Sequence, residues 1–559
     1  MRICSNTGDR IKISIKDLGD FFCDRGTMAS EILQDDYLKT KLPDRNNVIV
    51  CRVNNQQRPL SWKIVVDSTI EFITIDSLEG LDAYQKTLIL MLTSAAMKAS
   101  GVRLRFTQAV KSAQYFKGVE KEITSEVFGK IKDEMRRMVR DHEPISRSVF
   151  SLDEAADVME RQGYVRKADI IRRIDKDPII LYSICDIHDF FGGTALATNA
   201  ADVPVFDLRL FKGGIFLLPP DINSLSQPVE YDISKNTFNI IDKHTQWLDT
   251  MKINTMPQIA DKIIEGGTRD LILTCEATHS YMLSEIVRKI KDRPSLRLLC
   301  MAGPSSSGKT TTSHRIRIQL RTAGINSSTL ELDNYFVDRA STPKNPDGSY
   351  DFEALEAIDL PLLNKHIEAL LNGDEVCTPK FDFKKGVRTE GDVMRLDKDE
   401  FLVIEGIHGL NDKLTEKIAA DKKFKIFIYP FTGSNIDYHN RVGASDTRLL
   451  RRILRDSRTR GHSAETTLKM WPSVVRGASK HIFPYQDCAD VAFNTSLAYE
   501  LCAMRDYIMA KLSSIMPNSP VYSESKRLRS FFEFIPGIQT TDIPNNSILR
   551  EFIGGSCFE

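Results

Sequence analysis

One stretch constrains this chain more than any other: Gly303-Pro304-Ser305-Ser306-Ser307-Gly308-Lys309-Thr310. It fits G-x-x-x-x-G-K-[ST], in which every fixed position has a physical job. The glycines let the backbone turn tightly, so that its N–H groups point inward at phosphate oxygens. Lys309 reaches the β- and γ-phosphates, and the Thr310 hydroxyl is placed for Mg²⁺. The helix that follows adds the positive end of its dipole. The flanks agree with the motif. Leu296 to Ala302 is a short apolar run that reads as a buried strand, and Lys309 to Arg321 has helical character and stops at Gly324. A Ser/Gly-rich surface loop would not need that strand–loop–helix setting.

Bulk properties leave the field open for such a domain. At 559 residues the chain is long enough for about three or four domains. Its 76 Lys+Arg balance its 76 Asp+Glu, so no global basic field holds nucleic acid. No apolar run approaches the ~20 residues that span a bilayer. The opening Met1 to Ser5 carries no signal-peptide core. Ten cysteines are scattered without a C-x-x-C pair, which reads as reduced thiols of a cytoplasmic protein. Cys185 and His188 have metal-pair spacing but no second pair nearby, so they read as core packing.

The chain divides by pattern. Asn47–Val53 and Ile70–Thr74 read as strands, Leu81–Ala99 as a helix with a broad apolar face, and Glu120–Arg140 as a charged amphipathic helix. Pro219-Pro220 with Ser224 to Pro228 marks a linker. Residues 229–293 read as mainly helical. From 296 to about 500, strands alternate with helices, the signature of a parallel α/β domain.

Phosphoryl chemistry needs more than a loop. Phe401-Leu402-Val403-Ile404-Glu405 is an apolar strand that delivers a carboxylate to its C-terminal edge, where open α/β sheets hold ligands. Glu405 is a candidate for a Mg²⁺ shell, against the plainer reading of a helix-capping acid. Thr329 to Asp333 reads as the next strand, ending in a carboxylate that can accept the proton of an attacking hydroxyl. The alternative is a turn-forming Asp. Arg448, Arg452 and Arg455 share one helix face within Asp446 to Gly461. Arginine forks neutralise charge on a transferring phosphoryl group, and such a helix serves as a mobile lid. A solvated, Asp-paired helix or an RNA-facing surface is the alternative.

These residues carry a resemblance. Residues 296 to about 500 resemble the uridine kinase and phosphoribulokinase family in the P-loop, Asp333-Asn334-Tyr335, Tyr350 to Glu353, Pro379 to Phe383 with Arg388, the Glu405 strand and the arginine helix. The resemblance implies ATP- and Mg²⁺-dependent phosphorylation of a nucleoside 5′-hydroxyl, as in pyrimidine salvage. It implies ATP binding by Gly303, Pro304, Ser305, Ser306, Ser307, Gly308, Lys309, Thr310, Thr311 and, near the adenine, Asp490. Asp333, Lys309 and Arg455 take catalytic roles, and Thr310, Asp333 and Glu405 the Mg²⁺ shell. Glu353, Phe381, Arg388, Arg452 and Arg460 would bind the acceptor. Departures sit where the base is read. Phe381 stands where pyrimidine kinases carry Tyr, Gly386 where they carry His, and His462 where they carry a lid Arg. Losing those polar groups changes discrimination between acceptors. Another small hydroxylated acceptor therefore stays open.

The N-terminal half resembles other families. Residues 1–75 resemble a β-grasp TGS domain through Val53-Asn54-Asn55 and Val65-Val66-Asp67. Residues 76–220 resemble the α+β editing-type domain of threonyl-tRNA synthetases, through Glu79 to Tyr84, Arg137 to Pro144 and Asp189 to Gly193. That domain's zinc ligands fall here on Lys86, Leu90, Phe191 and Ala195, none of which offers a thiolate or imidazole. The expectation is no zinc and no editing. The half braces the kinase, or binds a nucleotide, an RNA end or a partner. The expected architecture is thus multidomain α/β: the TGS-like and editing-like units, a helical linker over 221–293, a P-loop domain over 294–515 with a helix-covered parallel sheet, and a C-terminal tail over 516–559. Expected partners are ATP and a nucleoside, without a membrane or strong nucleic-acid binding, and with homo-oligomerisation left open. A nucleotide-gated RNA- or ribosome-associated regulator is the competing class.

Overall fold

The computed structural model describes residues 10–559 apart from 43, 111, 175–176, 223, 231–234, 345–347, 349, 383–384 and 432. Met1 to Ser5 and Phe383, which entered the sequence reading, lie outside the described residues. The first sheet has five strands in the order Gly19–Asp24, Arg10–Ile15, Ser68–Thr74, Val48–Val53 and Gln56–Arg58. Alternation in Arg10–Ile15 turns Ile11, Ile13 and Ile15 into its core. Arg10–Ile15 runs parallel to Ser68–Thr74, while the other pairs are antiparallel.

The helix Leu78–Ser100 follows. Ser77 caps it by accepting from the Gly80 N–H, and Gly101 ends it at φ +62°. It is buried along most of its length, as its apolar breadth predicts. A four-stranded sheet in the order Asp207–Phe211, Gly214–Leu218, Ala113–Gly118, Leu104–Val110 packs on this unit, with a three-stranded sheet formed by Ile187–Asp189, Ile179–Ile184 and Ser146–Phe150. The charged helix starts at Ser125 rather than Glu120, because the Thr124 hydroxyl accepts from the Val127 N–H and sets the first turn there. Cys185 and His188 are half-buried, and Cys185 packs against the edge of this unit's core. The Cys185 sulfur contacts Arg137 Nη2 at 3.5 Å, and His188 packs edge-on against Phe150.

The stretch read as a linker carries three helices, Lys235–Thr250, Met256–Ile264 and Thr268–Lys291. Their apolar faces are not free. Ile259 and Ile272 are fully buried in the same cluster as the P-loop domain's core.

That domain is built on five parallel strands: β1 Leu298–Ala302, β2 Ser327–Glu331, β3 Phe401–Glu405, β4 Lys423–Tyr429 and β5 Val491–Asn494. Their order is β2-β3-β1-β4-β5. Central β1 is buried at every residue, the mark of a strand covered on both faces. The helices that concern the site are α1 Lys309–Thr322, α2 Ala444–Thr459 and α3 Ala464–His481. A two-stranded hairpin, Val376–Asp382 with Val387–Met394, stands apart from the sheet.

The two halves interlock. Segment 434–441 of the P-loop domain enters the N-terminal unit: Phe106 N–H donates to the Tyr438 carbonyl at 2.8 Å, and Asn435 Nδ2 donates to the Phe106 carbonyl at 2.6 Å. Lys167, fully buried, pairs with Asp189 and lies 3.3 Å from Asp437. Among the described residues no helix is long and apolar enough to cross a membrane.

Candidate active site

The loop between β1 and α1 folds as its residues require. Ser306 at φ +59° and Gly308 at φ +88° turn successive backbone groups toward one centre. A Cβ on Gly303 would lie 2.1 Å from the Ile428 carbonyl oxygen, so only glycine lets β1 and β4 stay paired there. The Ser306 and Ser307 hydroxyls are buried without a protein partner. Buried polar groups need partners, and a phosphate would supply them. Lys309 Nζ donates to the Pro304 carbonyl at 3.4 Å, which folds the side chain back over the loop.

Parallel register aligns the acids. Glu405 pairs with Met301 of β1 and with Glu331 of β2, so the end of β3 stands beside the start of the loop. Glu405 is buried, and its Oε1 accepts from the Thr310 hydroxyl at 3.1 Å. Burial pushes its carboxyl up to about 8, with Lys309 opposing and Asp333 and Glu331 reinforcing the shift. β2 ends at Glu331, so Asp333 is not a strand residue. It stands in the 3₁₀ turn Leu332–Tyr335 and is exposed. A turn projects the carboxylate beyond the sheet edge, where a mobile acceptor can reach it.

The arginine helix is seated on the loop. Arg448 Nε donates to the Ser305 carbonyl at 2.9 Å, Arg452 Nη1 donates to the Ser305 hydroxyl at 2.8 Å, and Arg455 Nη2 reaches the same hydroxyl at 3.4 Å. Asp456, fully buried, pairs with Arg452, Arg455 and Arg460 and holds their forks in one fan. Desolvation raises the Glu353 carboxyl, and the positive charges of Arg452, Arg448 and Lys309 oppose the shift. Gly477 lets α3 pass close to this acid, since a Cβ there would lie 2.5 Å from Glu353 Cγ.

One residue, Asp490, stands elsewhere than the resemblance implies. Asp490 precedes β5, four residues before Asn494 at the ligand edge, so it sits ~13 Å down the strand at ~3.3 Å per residue. Its carboxylate pairs with Arg293 at 2.7 Å and accepts from the Lys425 N–H at 2.9 Å. Arg388 is tied to Asp359 at 2.9 Å, at the cap of the helix Leu360–Asn372. Phe381 is held near the turn that carries Asp333: its N–H donates to Asn334 Oδ1 at 3.2 Å and its ring packs on Phe336. Gly386 at φ +72° lies against Arg339.

Two functional residues escaped the motif reading. Arg451, fully buried, pairs with Glu500 at 2.6 Å and donates to the carbonyls of Thr495 and Ser307. The Thr495 hydroxyl also donates to the Ser307 carbonyl, at 2.7 Å. Both brace the phosphate loop from behind. Adjacency to Arg452 hid the first, because an arginine run does not say which member turns inward.

Thr310 and Glu405 offer hydroxyl and carboxylate oxygens, the donor type Mg²⁺ takes, and Mg²⁺ needs only one or two carboxylates beside phosphates and waters. The residues present therefore fit that ion.

The region that carries this site has known relatives. Residues 298–498 match the model of the phosphoribulokinase / uridine kinase family. A uridine kinase of Deinococcus deserti is 31% identical over 177 residues, which is 32% of this chain and 76% of the relative. A uridine kinase of Halobacterium salinarum is 29% identical over 32% of this chain and 69% of the relative. The solved phosphoribulokinase from Rhodobacter spheroides is 18% identical, covers 36% of this chain and 70% of that chain, and superposes with a TM-score of 0.24.

Proposed function

This chain belongs, through residues 298–498, to the phosphoribulokinase / uridine kinase family, and from that premise we propose that it transfers the γ-phosphoryl group of ATP to the 5′-hydroxyl of a nucleoside. One observation carries the reading. Arg452 and Arg455 converge on the Ser305 hydroxyl of the phosphate loop, and the same loop leads into Thr310, whose hydroxyl meets the Glu405 carboxylate. Groups suited to holding and neutralising a phosphoryl donor are thus gathered at one sheet edge.

The roles follow from position. The loop N–H groups and Lys309 hold the triphosphate. Thr310 and Glu405 would hold Mg²⁺, which when bound neutralises charge between the phosphates. Asp333 accepts the proton of the acceptor hydroxyl. Arg452 and Arg455 draw charge from the transferring group and, with the seated lid, exclude water. Glu353 accepts hydrogen bonds from the sugar hydroxyls, and Phe381 offers an aromatic face to the base.

The acceptor has a second reading, another small hydroxylated molecule. It is favoured by the apolar ring at Phe381, the bare backbone at Gly386 and the engagement of Arg388 by Asp359. We further propose that the N-terminal half braces the kinase and holds no zinc. The support is its interlock with segment 434–441 and the side chains at the four relevant positions. Leu90, Phe191 and Ala195 are buried and apolar, and Lys86 is paired with Asp82 at 2.9 Å.

The test is ATP consumption with Mg²⁺ across ribo- and deoxyribonucleosides, with Lys309→Ala and Asp333→Asn as controls. Turnover on uridine or cytidine that both variants lose supports the nucleoside reading. Turnover on no nucleoside, with turnover on another hydroxylated acceptor, replaces it with the second.

A further inference from the structure

The C-terminal segment ends on the phosphate loop. Ile548, Leu549 and Phe552 are fully buried, and Ile548 Cγ2 lies 2.7 Å from where a Cβ on Gly308 would stand. The next turn brings in a carboxylate. Glu551 Oε2 accepts from the Thr311 hydroxyl at 2.8 Å and from the Thr311 N–H at 3.3 Å.

That seat has a specific chemistry. Thr311 is the third residue of α1, and its N–H is among the first-turn donors that find no acceptor inside a helix. It follows a glycine-rich loop whose Ser306 and Ser307 hydroxyls are buried without a protein partner, so the donors around it are arranged for an anion. Here the chain itself supplies one. A phosphate oxygen and the Glu551 carboxylate cannot share Thr311, and two anions at that distance repel.

The segment is also clasped by the lid. Arg458, in the last turn of α2, donates to the Glu551 carbonyl at 3.2 Å and pairs with the Glu559 carboxylate at 2.9 Å. Phe558 lies flat on His314 of α1, with centroids 4.8 Å apart and planes 5° from parallel. The tail therefore spans from α1 to the end of the arginine helix.

We propose that Glu551 is an internal stand-in for a nucleotide phosphate, occupying Thr311 until nucleotide displaces it and so setting the affinity for the phosphoryl donor. The proposal rests on the nucleotide-binding reading of the loop and adds a residue that opposes binding. Only the side chain has to move. Glu551 is half-buried while its neighbour Phe552 stays in the core, so a rotation of Glu551 clears the donors without unseating the tail.

The experiment is calorimetric binding of Mg·ATP and of adenosine to the full chain and to its Glu551→Gln, Glu551→Ala and Glu551→Asp variants. Thermal denaturation checks that each is folded. Glu551→Gln is nearly isosteric and removes only the charge. Glu551→Gln and Glu551→Ala are expected to bind Mg·ATP roughly twofold to thirtyfold more tightly, the range of one charge at a helix N-terminus. Adenosine, which brings no phosphate, is expected to bind all four proteins alike, and Glu551→Asp is expected to stay near the parent. Unchanged or weaker Mg·ATP binding by folded Glu551→Gln overturns the proposal and leaves the kinase reading intact. Absence of Mg·ATP binding in the parent and in Glu551→Ala overturns both. Tighter binding without turnover on any acceptor sustains the proposal and sinks only the assigned reaction.

Discussion

The Thr310 hydroxyl donates to Glu405 Oε1 at 3.1 Å, which joins the first turn of α1 to the end of β3. Two groups expected to share one cation thus stand side by side. Burial raises the Glu405 carboxyl from 4.5 to about 8, so the folded protein keeps a proton that the unfolded chain loses. The sign follows from linkage: the unfolded chain releases this proton as pH rises past 4.5, and the folded protein releases it only near 8. Glu405 therefore costs nothing below about pH 4.5, and its destabilising contribution grows up to about pH 8. Chemical denaturation across that window is expected to show Glu405→Gln gaining stability relative to the parent as pH rises. Mg²⁺ is expected to narrow the gap by stabilising the carboxylate. A pH-independent difference between the two would contradict the assignment.

Arg451 and Glu500 form a fully buried pair behind the phosphate loop. Removing one partner strands the other charge. Arg451→Met is expected to lose ~3–5 kcal/mol of stability, as broken buried pairs do. The double variant Arg451→Met with Glu500→Leu is expected to recover part of that loss. Urea denaturation of the three variants measures it, and additive losses would show that the pair is not coupled.

Gly477 lets α3 pass Glu353. Gly477→Ala places a methyl group 2.5 Å from Glu353 Cγ, so the flexible acid must move away from the arginine fan. The expected signature in steady-state kinetics is a rise of roughly tenfold in the acceptor KM, since small displacements of positioning groups cost about that much or more. The KM for ATP is expected to change little. Equal rises in both would place Glu353 outside the acceptor site.

Asp333→Asn removes the proposed proton acceptor and keeps its shape. Its kcat is expected to fall by about 10²–10⁴, the usual contribution of a general base. ATP binding should persist, because Asp333 projects from the turn rather than from the loop. Retained turnover would return Asp333 to a turn-forming role.

The zinc expectation has a direct check. Elemental analysis of the purified chain is expected to find no stoichiometric Zn²⁺. One equivalent that survives dialysis would overturn it and direct attention away from Lys86 and Leu90.

Some of the site was legible early for a plain reason. Gly303, Gly308, Lys309 and Thr310 are neighbours in sequence, and the chemistry of a phosphate loop is local. The β3 strand could be read because five residues carry both its burial and its terminal acid. Asp333 is legible as an acid, but its run reads as a strand, since a hydrophobic run does not say where a 3₁₀ turn begins. Asp490 differs for the same kind of reason: its distance from the ligand edge depends on how β5 pairs with β4.

Sequence by itself determined the phosphate loop, the order of strands and helices around it, and the set of acids and arginines available to it. These depend on local backbone freedom and on the periodicity of burial. Tertiary structure alone decided which of those side chains meet. It turned Arg451 inward and Arg452 toward Ser305, seated the 434–441 segment in the N-terminal half, and brought Glu551 across 240 positions to Thr311. The physical reason is range. A turn is encoded by the residues that make it, whereas a contact between distant segments depends on the packing of every element between them.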